Sequence, residues 1–240
     1  MRDTLVVIPT YNEIENIEAI IRATFKVSSE VAILIVDDNS PDKTAHKVKE
    51  LQMDFPERLF LENRKGKEGL GTAYIHGFKW ALERQYEYIC EMDADFSHNP
   101  NDLIRLHQTC HENGADLAIG SRYKSGVNVV NWPMNRVLLS YFASKYVQVI
   151  TRMDINDATA GFICYRRSVL EAINFDKIQF VGYAFQIEMK FKAYVNGFNV
   201  EEVPVIFTDR TKGTSKMDGS IISEAVFGVI LMKIKSLFSK

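Results

Sequence analysis

The sequence predicts an α/β fold, a mostly parallel central sheet with helices on both faces. Three observations carry that expectation. Short apolar runs of strand length alternate with longer segments of helical period through the first 120 residues. The runs are continuous rather than alternating, as in strands buried on both faces. No repeat, linker or low-complexity stretch interrupts the 240 residues, which suit one domain with a sizeable core.

Each element has its own signal. Leu5 to Ile8 reads as the first strand. Ile14, Ile17, Ile21 and Phe25 then share one helical face, with Asn12 and Glu15 spaced as a capping box. Val31 to Val36, rich in β-branched residues, is a second strand. Ser40 and Pro41, as N-cap and first-turn proline, open a helix through Val48 and Leu51. Leu59 to Leu61 is a third strand, followed by a glycine-rich loop from Arg64 to Gly71 and a helix carrying Tyr74, Phe78, Ala81 and Leu82. Strand Tyr88 to Met92, a helix after Pro100 and strand Asp116 to Ile119 complete a β-α-β-α-β-α-β-α-β series. The second half is less regular. It reads as helix Val137 to Ile150, strand Phe162 to Tyr165, helix Ala184 to Val195, strand Val200 to Phe207, a polar loop and a C-terminal helix.

Composition excludes several classes. A formal net charge of -2 lacks the basic footprint of a nucleic-acid partner. Cys90, Cys110 and Cys164 form neither a disulfide framework nor a zinc pattern, which points to a reduced compartment. No apolar stretch approaches the roughly 18 residues of a membrane span, and Leu5 to Ile8 follows without a charged-then-apolar leader. His107 and His111 are four apart, a metal-like spacing, but with no third ligand nearby they read as a solvated helix face.

Ligands of open parallel sheets bind where the strands end. Strand one ends in Pro9-Thr10-Tyr11-Asn12-Glu13, strand two in Asp37-Asp38-Asn39-Ser40, the fourth in Glu91-Met92-Asp93-Ala94-Asp95 and the fifth in Gly120-Ser121-Arg122-Tyr123. Acids, an arginine and aromatic rings on one edge suit a polar, phosphorylated ligand. Asp93 and Asp95, two apart where a strand runs out, face the same way and suit Mg2+ or Mn2+ shared with substrate phosphates. The Arg64 to Gly71 loop lacks P-loop spacing, and no G-x-G-x-x-G follows strand one.

Together with Val7-Ile8-Pro9-Thr10-Tyr11-Asn12-Glu13 and Val36-Asp37-Asp38-Asn39-Ser40-Pro41-Asp42, these strand ends resemble family 2 glycosyltransferases of the GT-A fold. Gly69-Leu70-Gly71-Thr72-Ala73-Tyr74, Gly182 to Glu188, Glu202 to Phe207, Asp209-Arg210 and Ser215-Lys216 narrow the likeness to polyprenol (dolichyl) phosphate mannosyltransferases. The resemblance runs from residue 5 to about 220 and implies an inverting transfer of mannose from GDP-mannose to a polyprenyl phosphate. It implies that Pro9, Tyr11 and Glu13 hold the base and ribose, with Val36 and Asp38 beside them and the Ala94 backbone against the nucleotide. Asp93 and Asp95 would hold the metal, with Ser97 where the family often has Gln. Arg122, Arg210 and Lys216 would meet the phosphates, Arg136 and Ser140 the lipid phosphate. Asp93, Asp95, Arg122 and Arg210 would be the catalytic set.

The residues agree with that chemistry. A divalent ion with Arg and Lys would stabilise a diphosphate leaving group. A phosphate monoester acceptor is already anionic at neutral pH and needs no base. The loop Asp209 to Met217, with Arg210, Lys212, Gly213 and Lys216, reads as a lid closing over the pyrophosphate. Residues 1–220 are read as the catalytic domain. Residues 221–240, with Ile221, Ile222, Val226, Val229, Ile230 and Met232 and a basic end of Lys233, Lys235 and Lys240, are read as an amphipathic helix. That helix suits a membrane interface, the protein core or a membrane subunit. The expected place is the cytoplasm, peripheral on the cytoplasmic face of a membrane. Rival readings are UDP-glucose as donor, a soluble hydroxyl acceptor, a nucleotidyltransferase and a non-catalytic subunit.

Overall fold

The computed structural model describes residues 1–182, 184–210 and 220–238. The strands are β1 (Thr4–Thr10), β2 (Ala32–Asp37), β3 (Leu59–Asn63), β4 (Tyr88–Glu91), β5 (Leu117–Ser121), β6 (Val129–Val130), β7 (Ile163–Arg166), β8 (Val200–Pro204) and β9 (Phe207–Thr208). The helices are α1 (Ile17–Val27), α2 (Thr44–Leu51), α3 (Leu70–Glu83), α4 (Asp102–His111), α5 (Met134–Thr151), α6 (Arg167–Ala172), α7 (Ala184–Val195) and α8 (Ser220–Phe238). Seven strands form one sheet in the order β3-β2-β1-β4-β7-β5-β8, and β6 pairs with β9 in a small parallel sheet of its own.

Alternate residues of β1 supply the two cores. Leu5 and Val7 join α3 and α7 on one face, while Val6 and Ile8 join α1 and α4 on the other. All four are fully buried, which explains the unbroken apolar run. Gly77 lets α3 lie close on the sheet, since a Cβ there would come within 2.5 Å of Val7 Cγ1.

The sheet is mostly parallel, as expected, and three expectations about where elements begin and end are corrected. Among the described residues the one strand that breaks the parallel order is β7, which lies between β4 and β5, antiparallel to both. A four-residue apolar run carries no sign of its direction. Helix α1 starts at Ile17, and Asn12 takes a left-handed φ of 58° instead of capping it. Helix α2 starts at Thr44. Ser40 donates to Asp37 Oδ1 at 2.6 Å and accepts from the Asn12 N–H at 3.0 Å, so it ties the ends of two strands together instead of capping. The expected strand Val200 to Phe207 is two strands that join different sheets.

His107 is buried, not solvated. It packs edge-on against Tyr88 with ring centroids 4.6 Å apart, while His111 Nδ1 lies 3.0 Å from the Tyr88 hydroxyl. Burial, with help from the N-terminal amine and His111, pulls the His107 pKa down to about 4. Below its ordinary value of 6.5 the unfolded chain binds a proton that the folded one refuses. His107 should therefore reduce stability progressively as pH falls from 6.5 towards 4. Urea midpoints measured across that range should fall less steeply in His107→Leu than in the parent, and parallel curves would refute this.

Helix α8 packs on α5 and α7. Val229 and Met232 enter the core, and a Cβ on Gly228 would come within 2.5 Å of the Phe180 ring. The side chains of Ile221, Ile222, Val226 and Lys240, and the expected lid over residues 211–217, lie outside the described residues.

Candidate active site

The carboxyl ends of β1, β4, β5 and β8 meet the amino end of antiparallel β7 on one edge of the sheet. Strand β4 ends at Glu91, so Asp93 and Asp95 sit in the loop beyond it and strand alternation does not aim them. The loop's hydrogen bonds do. The Asp93 N–H donates to His98 Nδ1 at 3.1 Å, and the Tyr74 hydroxyl donates to Asp93 Oδ1 at 3.5 Å. The Ser97 N–H donates to Asp95 Oδ1 at 3.0 Å, and Arg210 Nη2 lies 3.2 Å from Asp95 Oδ2.

The two carboxyls are electrically unequal. Burial, followed by the charge on Asp95, lifts the Asp93 pKa to about 7. Burial also pushes Asp95 up, but hydrogen bonds from Ser97 and the charge on Arg210 outweigh it and hold Asp95 below the usual value. Burial keeps His98 neutral, with a pKa of about 4, which suits its role as acceptor for the Asp93 N–H. A divalent cation fits here. It would relieve the carboxylate repulsion felt by Asp93 and take up the buried Ser97 Oγ, which makes no hydrogen bond of good geometry among the described residues. Among the described residues no cluster of three or more His, Cys, Asp or Glu is poised for a metal. Two carboxylates and a hydroxyl leave ligand positions for phosphate and water, as Mg2+ and Mn2+ prefer.

A cavity of about 390 Å³ opens beside Asp93. Six expected site residues line it: Asp93, Ser97, Arg122, Arg136, Ser140 and Arg210. Arg122 follows β5, and its guanidinium is gripped by Asp157 through Nε at 2.7 Å and Nη2 at 2.6 Å, while its backbone N–H donates to the same carboxylate at 2.9 Å. The guanidinium outweighs burial and keeps Asp157 below the ordinary carboxylate range. Glu202 in β8 accepts from the backbone N–H groups of Asn156 and Asp157 and so fixes that loop. Arg136 and Ser140 stand on α5, with Arg136 Nη1 2.8 Å from Asp209 Oδ1.

The residues expected to hold the nucleotide lie further along the same edge, outside the cavity lining. Pro9 is paired in register with buried Val36. Asp38 accepts two hydrogen bonds from Arg64, at 2.6 and 3.1 Å, and Arg64 also donates to Thr72 at 2.7 Å. Lys67 Nζ stands 5.4 Å from the Tyr11 ring centroid. Glu13 accepts from Asn16 Nδ2 at 3.0 Å, and its charge is felt at Asp93. Ala94 is buried between the two aspartates. Lys216 lies outside the described residues.

Sequence reasoning missed the support behind the cavity wall. Fully buried Glu91 accepts from the Tyr165 hydroxyl at 3.0 Å and from Gln186 Nε2. Lys190 Nζ, also fully buried, donates to the carbonyls of Ala160 and Gln186. Burial pushes both ionisable groups towards their neutral forms. A glutamate inside an otherwise apolar strand was the one available signal for this network. Asp157 and Arg64 gave none, because their partners are 35 and 26 residues away in sequence.

Residues 5–173 match the model of glycosyl transferase family 2. The chain is 48% identical over 226 residues to the polyprenol monophosphomannose synthase of Mycolicibacterium smegmatis, covering 94% of this chain and 85% of that one. It is 42% identical over 225 residues to the undecaprenyl-phosphate mannosyltransferase of Micrococcus luteus, covering 94% and 91%. In fold it matches glucosyl-3-phosphoglycerate synthase from Mycobacterium tuberculosis, solved with Mn2+, UDP and phosphoglyceric acid, at a TM-score of 0.70 and 15% identity over 97% of this chain and 78% of that one. A mannosyltransferase from Pyrobaculum calidifontis, solved with GDP-Man and Mn2+, matches at a TM-score of 0.63 and 16% identity over 100% of this chain and 65% of that one. The expected GT-A architecture is thus the observed one, and by sequence the chain belongs to glycosyl transferase family 2.

Proposed function

We propose that the protein moves mannose from GDP-mannose to a polyprenyl phosphate, in one inverting displacement, with Mg2+ or Mn2+. The observation that carries this reading is the cavity itself, whose lining brings Arg122, Arg136 and Ser140 together with Asp93. Relatives at 48% and 42% identity are named for mannosyl transfer to this lipid class. An acceptor phosphate oxygen attacks the anomeric carbon, the bond from that carbon to the diphosphate breaks, and GDP leaves. When bound, the metal neutralises charge developing on the leaving diphosphate. Arg210, beside Asp95, adds positive charge at the same place. Arg122, expected at the donor phosphates, shares its cavity wall with Arg136 and Ser140, which favours assigning it to the acceptor: with Arg136 it holds the acceptor phosphate in line, and that phosphate is already anionic. The test is incubation with radiolabelled GDP-mannose or UDP-glucose, a polyprenyl phosphate and either ion, followed by extraction into organic solvent. Label in the organic phase from GDP-mannose alone supports the reading; label from UDP-glucose, or none, overturns it.

The acceptor's long chain requires a membrane surface, and the reading places the protein peripherally there, on the cytoplasmic face. Among the described residues no helix is long and apolar enough to cross a bilayer. The helix that carries Arg136 and Ser140 also exposes Leu138, Leu139 and Phe142, and α8 beside it exposes Phe227, Ile230, Leu231 and Ile234. Lys233 and Lys235 are partly committed inward, donating to Thr151 O at 3.2 Å and Gln179 Oε1 at 2.8 Å. The attraction is therefore expected to rest more on apolar burial than on lysines. Deleting residues 221–240 would also strip Val229 and Met232 from the core, so surface substitution is the cleaner experiment. Phe227→Ser, Leu231→Ser and Ile234→Ser combined should weaken flotation with anionic liposomes at least ~10-fold at unchanged melting temperature. Undiminished flotation would show that α8 is not the anchor.

A further inference from the structure

Two like-charged guanidiniums share the cavity wall, and the structure shows an aromatic ring between their roles. Trp132, in the turn between β6 and α5, lies 4.0 Å from the Arg136 guanidinium carbon and 5.5 Å from that of Arg122, measured to its ring. Phe207 meets the Trp132 ring edge-on at 5.2 Å and lies 5.5 Å from Arg122. The small β6–β9 sheet holds these parts in register. The Phe207 N–H donates to Asn128 O at 3.0 Å, the Asn128 N–H to Arg122 O at 2.9 Å, and the Asp209 N–H to Val130 O at 3.1 Å. Asp209 in turn pairs with Arg136. Each arginine thus has a carboxylate, Asp157 or Asp209, and a share of the same indole.

We propose that Trp132 is a positioning residue: its ring face holds the Arg122 and Arg136 guanidiniums in one arrangement that receives the acceptor's phosphate. A π-face attracts a cation without neutralising it, whereas a further carboxylate would cancel charge the phosphate needs. A planar guanidinium stacked on a ring also keeps the edge N–H groups not already given to Asp157 or Asp209 turned outward for oxygen. Among the described residues the buried Trp132 Nε1–H has no hydrogen-bond partner, so the side chain's contribution is its face rather than its N–H. This role rests on the lipid-phosphate reading and deepens it.

Calorimetric titration of the full chain with farnesyl phosphate, and separately with GDP plus Mn2+, tests both. Trp132→Leu should weaken farnesyl phosphate binding about tenfold and leave the GDP–Mn2+ affinity unchanged. Trp132→Phe, which keeps a face and removes the N–H, should stay within about threefold of the parent. Trp132→Met, whose unbranched chain adapts more readily to the vacated space, serves the comparison if the leucine variant does not fold. Loss in Trp132→Phe equal to that in Trp132→Leu would make the N–H the active feature and overturn the proposal. So would a parallel loss of GDP–Mn2+ affinity, or no loss at all. If the parent binds no farnesyl phosphate, the acceptor reading falls and the proposal with it; if the parent binds and Trp132→Leu binds equally, only the role of Trp132 falls.

Discussion

Asparagine at position 93 or 95 should lower transfer about a thousandfold or more, because the leaving diphosphate loses the counter-charge that anchors its metal. The two variants should differ in character. Asp95 is held below the usual carboxylate pKa by Ser97 and Arg210, so Asp95→Asn also releases Arg210 from its ion pair. Asp93 is half-buried, and the charge on Asp95 raises its pKa, so Asp93→Asn relieves a repulsion and should leave the fold as stable as the parent or slightly more so. Initial rates with saturating acceptor, donor titrations with and without Mn2+, and melting curves separate these effects. Full turnover in either variant, or in the parent with excess chelator, would refute a metal-dependent mechanism.

Asp157→Ala should be the most damaging substitution for stability. It removes the carboxylate that accepts three hydrogen bonds from Arg122 and leaves a buried guanidinium poorly compensated. Breaking such a pair from one side costs about 3–5 kcal/mol. In a chain of this size each kcal/mol moves the melting temperature by about 2–4 °C, so a fall of roughly 10 °C is expected by calorimetry. A shift below about 2 °C would show that Arg122 finds equal partners elsewhere. The depressed pKa of Asp157 adds a sign: its contribution is complete above the ordinary carboxylate pKa and is lost as pH drops through its own lower value. The stability gap between parent and variant should therefore narrow only in strong acid.

The contrast between Asp93 and Asp157 shows what a sequence discloses. Asp93 and Asp95 follow an apolar run and sit two apart, so their chemistry is local and readable. Asp157 lies in a stretch without periodicity, and its importance comes from Arg122, which β5 and the 156–157 loop bring to it. The strands were legible because burial on both faces leaves an unbroken apolar run. Their neighbours were not, since nothing in Ile163–Arg166 says that it slots between β4 and β5. Helix starts were misjudged at Asn12 and Ser40 for one reason. Polar side chains that cap helices also bind strand ends, and near a site the second use prevailed. The fold was therefore more legible than the site, and the residues that line the cavity more legible than the residues that hold them.

The inserted strand also constrains how the molecule comes to exist. Strand β4 pairs with β1 early in the chain, but its other edge waits for β7, about seventy residues later. Strand β5 is worse placed, because both of its neighbours, β7 and β8, are made after it. During synthesis the β3-β2-β1-β4 half can assemble as a local parallel unit, yet it presents an open edge until β7 arrives. Pairings of this sequence separation form slowly and leave unpaired edges exposed to other chains. The closing strand also brings Gly161, which lines the cavity, and Phe162, whose carbonyl accepts from the Gly120 N–H, up to the β5 end that carries Arg122. A nascent chain that has not passed Arg166 therefore holds Asp93 and Asp95 on an unfinished, aggregation-prone sheet, and the last strands to dock complete both the sheet and the cavity.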